Sequence, residues 1–269
     1  MASVRVLLTC LAACLLLAAG CGTTPRGSAE SQEAPLHLYL LAGQSNMAGR
    51  GDVEELDRAL VSNLFALNSA MEWGPAKNPL HFDKPDIVGV GPGFAFGQAM
   101  AEANPGARIG LIPGAVGGSS IRAWLPNAVH TQTNSRPWDD ALSRTFRVLA
   151  QHGGQLKGII WHQGESDSNE FAPQYEDALV DLVERFRHEF HDPELPFVAA
   201  PLAEYYVATN PIAADINAAT ADLPNRLPHT AVISAEGMNP RADNVHLDSA
   251  SARELGQRYA AAMLALQSQ

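Results

Sequence analysis

Beyond residue 35, short apolar runs alternate with stretches whose apolar residues recur at helical spacing. Residues 36–42 form an apolar run broken only by His37, which predicts a buried strand. Helix-like and turn segments are expected from there to about residue 85, and residues 87–90 make a short β-rich piece. Residues 94–103 read as a helix after Gly91-Pro92-Gly93, and 108–112 as a strand. Residues 139–152 place Leu142, Phe146 and Leu149 on one face of a predicted helix, followed by a strand at 158–161. The clearest amphipathic helix covers 172–190, with Leu179, Leu182, Val183 and Phe186 along one stripe. A strand at 197–200, a helix at 212–221, a strand at 231–234 and a helix at 249–266 with Ser249 as its N-cap complete the pattern.

Strands alternating with helices imply a parallel sheet covered on both faces. In such sheets a site forms beyond the carboxyl ends of the strands. Four strand exits here are polar and glycine-rich: Gly43-Gln44-Ser45-Asn46-Met47, Gly117-Gly118-Ser119-Ser120, His162-Gln163-Gly164-Glu165-Ser166-Asp167 and Asp243-Asn244-Val245-His246. No internal repeat or low-complexity block interrupts the chain after residue 35.

The amino terminus follows a different pattern. Arg5 precedes an apolar stretch over residues 6–19, too short to span a bilayer, which ends in Ala18-Ala19-Gly20-Cys21. It reads as a secretory signal peptide over residues 1–20, and its end resembles a bacterial lipobox, which implies lipidation at Cys21 in preference to Cys14. Residues 21–35, rich in Gly, Ser, Thr and Pro, are expected to form a flexible tether, and 36–269 one domain. Cys10, Cys14 and Cys21 are the only cysteines, so the exported chain has no disulfide framework and no thiol nucleophile. The chain is expected to be exported and anchored to the cell envelope, at the outer membrane or cell surface. With 29 acidic and 18 basic residues the formal charge is −11, which gives no electrostatic help toward nucleic acid or an anionic membrane surface.

The strand-exit residues carry the chemistry. Ser45 sits just past a strand, beside Gly43 and a helix start that can offer N–H groups to an oxyanion; taken alone, it reads as an N-cap. Met47 stands where an α/β-hydrolase elbow needs its second glycine. Asp243 and His246, three apart, fall on one side of a turn, so the carboxylate can hold one imidazole nitrogen while the other faces a nucleophile. Gln163 at a strand exit can donate to an oxyanion or brace a turn, and Gly117-Gly118 offers an unobstructed backbone N–H. His188 and His191 lack a third ligand, so they read as a surface pair.

Together the blocks resemble one family. Gly43-Gln44-Ser45-Asn46-Met47-Ala48-Gly49-Arg50-Gly51, Gly91-Pro92-Gly93-Phe94, Gly117-Gly118-Ser119-Ser120-Ile121 with Trp124, Trp161-His162-Gln163-Gly164-Glu165-Ser166-Asp167 and Asp243-Asn244-Val245-His246 stand in the family's order. The family is the sialate O-acetylesterase and acetyl xylan esterase group, carbohydrate esterase family 6, within the SGNH (GDSL-like) hydrolases.

The resemblance implies a three-layer α/β/α fold with a five-stranded parallel sheet. It makes Ser45 the nucleophile, His246 the general base and then acid, and Asp243 its orienting group. The oxyanion donors would be the Ser45 N–H, that of Gly117 or Gly118, and the Gln163 amide. Glu165 is placed near the histidine, to orient it or hold a loop, and Asn46 lies beside the nucleophile. Arg122, Trp124 and Trp161 are expected at the substrate cleft, since aromatic faces suit sugar rings. The implied activity is removal of acetyl groups from carbohydrate through an acyl-enzyme, with no cofactor and no metal. A general short-chain carboxylesterase and an inactive glycan-binding lipoprotein are the alternatives; an intact triad argues against the second.

Overall fold

The central strand β1 (Leu36–Gly43) is buried along nearly its whole length. Such a strand needs apolar residues on both faces, so it reads as a continuous run. Its pleat divides them: Tyr39 and Leu41 enter one core, and Leu38, Leu40 and Ala42 enter the other. A computed structural model describes residues 33–269, and the elements below belong to one unit, Ala34–Gln269. The expected signal segment, the lipidation site Cys21 and most of the tether lie outside the described residues.

Six further strands flank β1: β2 (Leu64–Leu67), β3 (Trp73–Pro75), β4 (Arg108–Pro113), β5 (Gln155–His162), β6 (Phe197–Ala200) and β7 (Thr230–Val232). The sheet order is β3-β2-β4-β1-β5-β6-β7. All neighbours are parallel except β2 and β3, which form an antiparallel hairpin. The expected parallel sheet with helices on both faces is present, but it has seven strands where the family resemblance implied five. The β2–β3 hairpin falls where helix-like segments were expected; each strand is too short to show a period. Residues 87–90 form no strand, and Val90 makes only an isolated bridge to Gly51.

The helices are α1 (Ser45–Ala48), α2 (Pro92–Ala103), α3 (Pro137–His152), α4 (Tyr175–Glu189), α5 (Glu204–Thr209), α6 (Ala213–Arg226) and α7 (Ser249–Gln267). On one face Phe96 and Met100 of α2 and Tyr259 and Met263 of α7 pack with Tyr39 and Leu41. On the other, Trp138 of α3, Leu182 and Phe186 of α4 and Ile216 of α6 pack with Leu38 and Leu40. The expected 172–190 helix divides into a 3-10 turn at Ala172–Gln174 and α4. The N-cap of α7 is Asp248, not Ser249: its Oδ1 accepts the Ser251 N–H at 2.7 Å. Strand β1 lies where the strand order reverses, which in open α/β sheets is where a crevice opens beyond the strand ends.

Candidate active site

At that edge the strand exits are knitted together by backbone. Gly43 ends β1 at φ +131°, and a Cβ there would lie 2.1 Å from the His162 carbonyl oxygen at the end of β5. Only glycine allows this turn and this approach. The next residue, Gln44, donates its N–H to His162 O at 2.9 Å, while Gly43 O accepts from Val116 N at 2.9 Å. The first, second and third segments therefore share one framework. It presents Ser45 as the first residue of α1. Neither the N–H nor the hydroxyl of Ser45 has a hydrogen-bond partner among the described residues.

The closing segment supplies an imidazole. Asp243 Oδ2 lies 2.8 Å from His246 Nδ1, and Asp243 Oδ1 accepts the N–H groups of Val245 and His246, each at 2.9 Å. The three-residue spacing thus closes into a small ring of hydrogen bonds. Partial burial opposes the Asp243 charge. The His246 N–H, the His246 side chain and the Val245 N–H outweigh it and hold the carboxyl down to about 2. An ionised carboxylate at Nδ1 assigns the proton there and leaves Nε2 as the free nitrogen.

Ser45, His246, Gly117, Gly118 and Glu165 line one cleft of about 340 Å³. No hydrogen bond joins Ser45 to His246; such contacts commonly tighten only when substrate is seated. Larger hollows occur elsewhere, about 470 Å³ beside β2–β3 and about 510 Å³ near the end of α4, so chemistry rather than volume singles out this cleft. Among the described residues no group of His, Cys, Asp and Glu is arranged to hold a metal ion.

Glu165 and Asn46 sit beneath the histidine. Asn46 Nδ2 donates to Glu165 Oε1 at 2.6 Å and to Val245 O at 3.1 Å, and Asn46 Oδ1 accepts the Leu247 N–H at 2.9 Å. Both neighbours of His246 in the chain are thereby tied to the residue after Ser45. Glu165 makes no hydrogen bond to the imidazole; it holds the loop through Asn46. Burial raises its carboxyl to about 7. Burial acts in the opposite direction on the adjoining His162, pushing it down to about 4, so that its ring is neutral.

The glycine pair divides its labour. Gly117 N–H is committed to Asp83 Oδ2 at 2.7 Å, whereas Gly118 N–H has no partner among the described residues. Gln163 is corrected by the structure. It is 1% exposed, and its Nε2 faces Gln44 Oε1 at 3.1 Å, Ser119 O at 3.1 Å and Asp167 Oδ2 at 2.6 Å. An amide has two N–H groups, and three internal acceptors leave none for an oxyanion.

Trp124 and Trp161 are also corrected: both are fully buried, edge to face at 5.1 Å, in the core beneath α4. The exposed Arg122 stacks 4.7 Å over Phe171 and does not line the cleft. The cleft walls are instead Arg50, Lys84, Ile87, Tyr206 and Val245, with Gln44 and Ser166. Ile87, 55% exposed, gives this wall an apolar surface. Tyr206, whose hydroxyl donates to Glu165 O at 3.2 Å, is the aromatic residue at the mouth. It comes from α5, a helix too short for a periodic signal. Arg50 lay inside the first block, and its burial was the missing signal.

Residues 35–265 match the family model for carbohydrate esterases described as sialic acid-specific acetylesterases. A probable carbohydrate esterase of Arabidopsis thaliana is 30% identical over 255 residues, 87% of this chain and 93% of that protein. The crystal structure of that plant protein superposes with a TM-score of 0.76 at 29% identity, covering 86% of this chain and 98% of its own. The crystal structure of NanS shares the fold at TM-score 0.69 and 17% identity, over 87% of this chain and 98% of its own. So does a carbohydrate acetylesterase from Xanthomonas citri, at TM-score 0.64 and 22% identity, over 85% of this chain and 55% of its own. With the match running from the first residues of β1 into α7, the chain belongs to the sialic acid-specific acetylesterase family of carbohydrate esterases.

Proposed function

We propose that the protein removes O-acetyl groups from carbohydrate through an acetyl-enzyme on Ser45. One observation carries this reading: a serine without internal partners and an imidazole held by a carboxylate at 2.8 Å line the same cleft. Ser45 Oγ attacks the ester carbonyl and passes its proton to His246 Nε2, while Asp243 stabilises the imidazolium. The N–H groups of Ser45 and Gly118, which have no internal acceptor, receive the oxyanion. Collapse of the tetrahedral intermediate releases the sugar hydroxyl, protonated by His246. Water, deprotonated by the same nitrogen, then frees acetate.

The acetylated carbohydrate substrate is supported by the family and by the names of the similar proteins. Tyr206 and Ile87 offer an apolar surface to a sugar ring at the mouth. The amino-terminal reading completes the proposal: residues 1–20 direct export, Cys21 carries the lipid, and the tether to residue 35 stands the domain off the envelope.

The test is acetate release from a panel of acetylated glycans, with an acyl-length series of simple esters beside it. Ser45→Ala is expected to abolish release without loss of fold, and a serine-directed phosphonate to label the unmodified protein at Ser45 alone. Substantial turnover in Ser45→Ala would remove Ser45 as nucleophile. Faster turnover of longer simple esters than of acetylated glycans would make the enzyme a general carboxylesterase. Cys21→Ser is expected to abolish detergent-phase partitioning.

A further inference from the structure

We propose that the buried Arg50–Asp83 ion pair is a positioning device for the oxyanion loop. By taking the N–H of Gly117, Asp83 leaves that of Gly118 as the donor beside the nucleophile. The inference rests on the reading of Ser45 above and names residues that reading does not use.

Asp83 Oδ2 accepts both the Gly117 N–H at 2.7 Å and Arg50 Nη2 at 2.8 Å. The two side chains are only 4% and 2% exposed. Arg50 Nη1 in turn donates to Gly49 O at 2.6 Å, the residue that closes α1. The helix that begins with Ser45 and the loop that carries Gly118 are therefore joined through a single guanidinium–carboxylate unit. On the other side of the same residue, Gly117 O lies 3.3 Å from His130 Nε2. Burial lowers the pKa of His130, so its ring is neutral, and Nε2 carries the proton if it donates to that carbonyl.

Gly117 is thus gripped at its N–H and at its C=O, and Gly118 follows at φ +81°, a conformation that suits glycine. There is no slack in the grip: a Cβ on Gly117 would lie 2.2 Å from Arg50 Nη2. The flanking groups are held as well, Val116 N–H on Gly43 O at 2.9 Å and Ser119 N–H on Val116 O at 3.2 Å. Within residues 116–119 only the Gly118 N–H has no acceptor among the described residues.

Stability alone gives a poor account of this pair. A buried ion pair recovers little beyond its own desolvation. Here Asp83 Oδ1 has no hydrogen-bond partner among the described residues, which adds to that cost. A carboxylate does hold an N–H in place more firmly than a neutral acceptor. Fixing a donor before the reaction is what oxyanion stabilisation requires, because a donor that must reorient loses its advantage.

The experiment compares Asp83→Ala, Asp83→Asn and His130→Gln with the unmodified enzyme on an acetylated glycan. Methylboronic acid serves as a tetrahedral mimic. It adds to the nucleophile through boron and places a hydroxyl where the oxyanion sits. Misplacing a donor by about 1 Å is expected to cost about 10²-fold in kcat for Asp83→Ala. Asp83→Asn keeps an acceptor for Gly117 and is expected to lose about tenfold, and His130→Gln less, in keeping with the loss of geometry rather than chemistry. KM should stay within about twofold, and boronate affinity should fall by the same factor as kcat/KM, since both report transition-state binding.

Folded Asp83 variants with kcat and boronate affinity within threefold of the unmodified enzyme would overturn the proposal. So would a loss of kcat with boronate affinity unchanged. If Asp83→Ala does not fold, Asp83→Asn and His130→Gln carry the same comparison. Ser45→Ala separates the two levels. Activity retained there defeats the nucleophile assignment, whereas an inactive Ser45→Ala beside a normal Asp83→Ala defeats only the positioning role.

Discussion

Asn46→Asp changes one atom pair and turns the support of His246 into a pH-sensitive element. In the native protein Asn46 Nδ2 donates to Glu165 Oε1 at 2.6 Å and to Val245 O at 3.1 Å. Aspartate puts an oxygen against both acceptors. At that distance two buried carboxylates cannot both ionise, so the pair keeps one proton that the unfolded chain gives up. The native protein already holds a proton on Glu165 up to about 7, because burial raises the carboxyl from its ordinary value of 4.5. Because the folded value is raised, this group's contribution is fully present below pH 4.5 and lost as pH rises to about 7, after which it is flat. In Asn46→Asp the retained proton extends the decline. Above pH 7 stability should keep falling by about 1.4 kcal/mol per pH unit, or about 3 kcal/mol by pH 9. Below pH 6 the variant should lie only about 1–3 kcal/mol under the native protein, the cost of the Val245 carbonyl losing its donor. Urea unfolding from pH 5 to 9, followed by tryptophan fluorescence, measures both limbs. Acetate release should fall with stability at the alkaline end as the His246 loop loosens. A variant whose stability runs parallel to the native protein above pH 7 would show that Asn46 and Glu165 do not share that buried contact.

Two further variants test the corrected residues. Gln163→Met removes the donor to Ser119 O and Asp167 and should destabilise the fold by about 2–5 kcal/mol in urea. Its kcat per titrated active site should fall by less than the roughly 10²–10³-fold expected for a missing oxyanion donor. Trp124→Ala should cost about 3–5 kcal/mol as a core cavity, while KM for acetylated glycan in the folded fraction stays unchanged.

The sheet was legible where a segment carried its own signal. The apolar run of β1, interrupted only at His37, and the stripe of Leu179, Leu182, Val183 and Phe186 on α4 depend on burial of whole faces, which the sequence pattern records. The β2–β3 hairpin was not legible, because strands of four and three residues have no period to read. Nor was α5, six residues with none fully buried, though it delivers Tyr206 to the cleft.

Within the site the division follows the range of the contact. Asp243 and His246 are three residues apart and meet within one turn, so their pairing follows from spacing. Asn46 to Leu247 spans 201 residues and Asp83 to Gly117 spans 34, and neither could be read locally. Gln163 shows the opposite error. Its position at the end of β5 was read correctly, but a strand exit has an inner and an outer side. Asp167, in the next 3-10 turn, supplies the carboxylate that draws the amide inward. Trp124 and Trp161 fail for the same reason: an aromatic residue near a catalytic loop can face the sugar or the sheet. Here the space between β5 and α4 needs two indoles to fill it. Chemistry carried by neighbours in the chain is visible before folding, whereas the direction a side chain takes at a strand end depends on the residue it will meet.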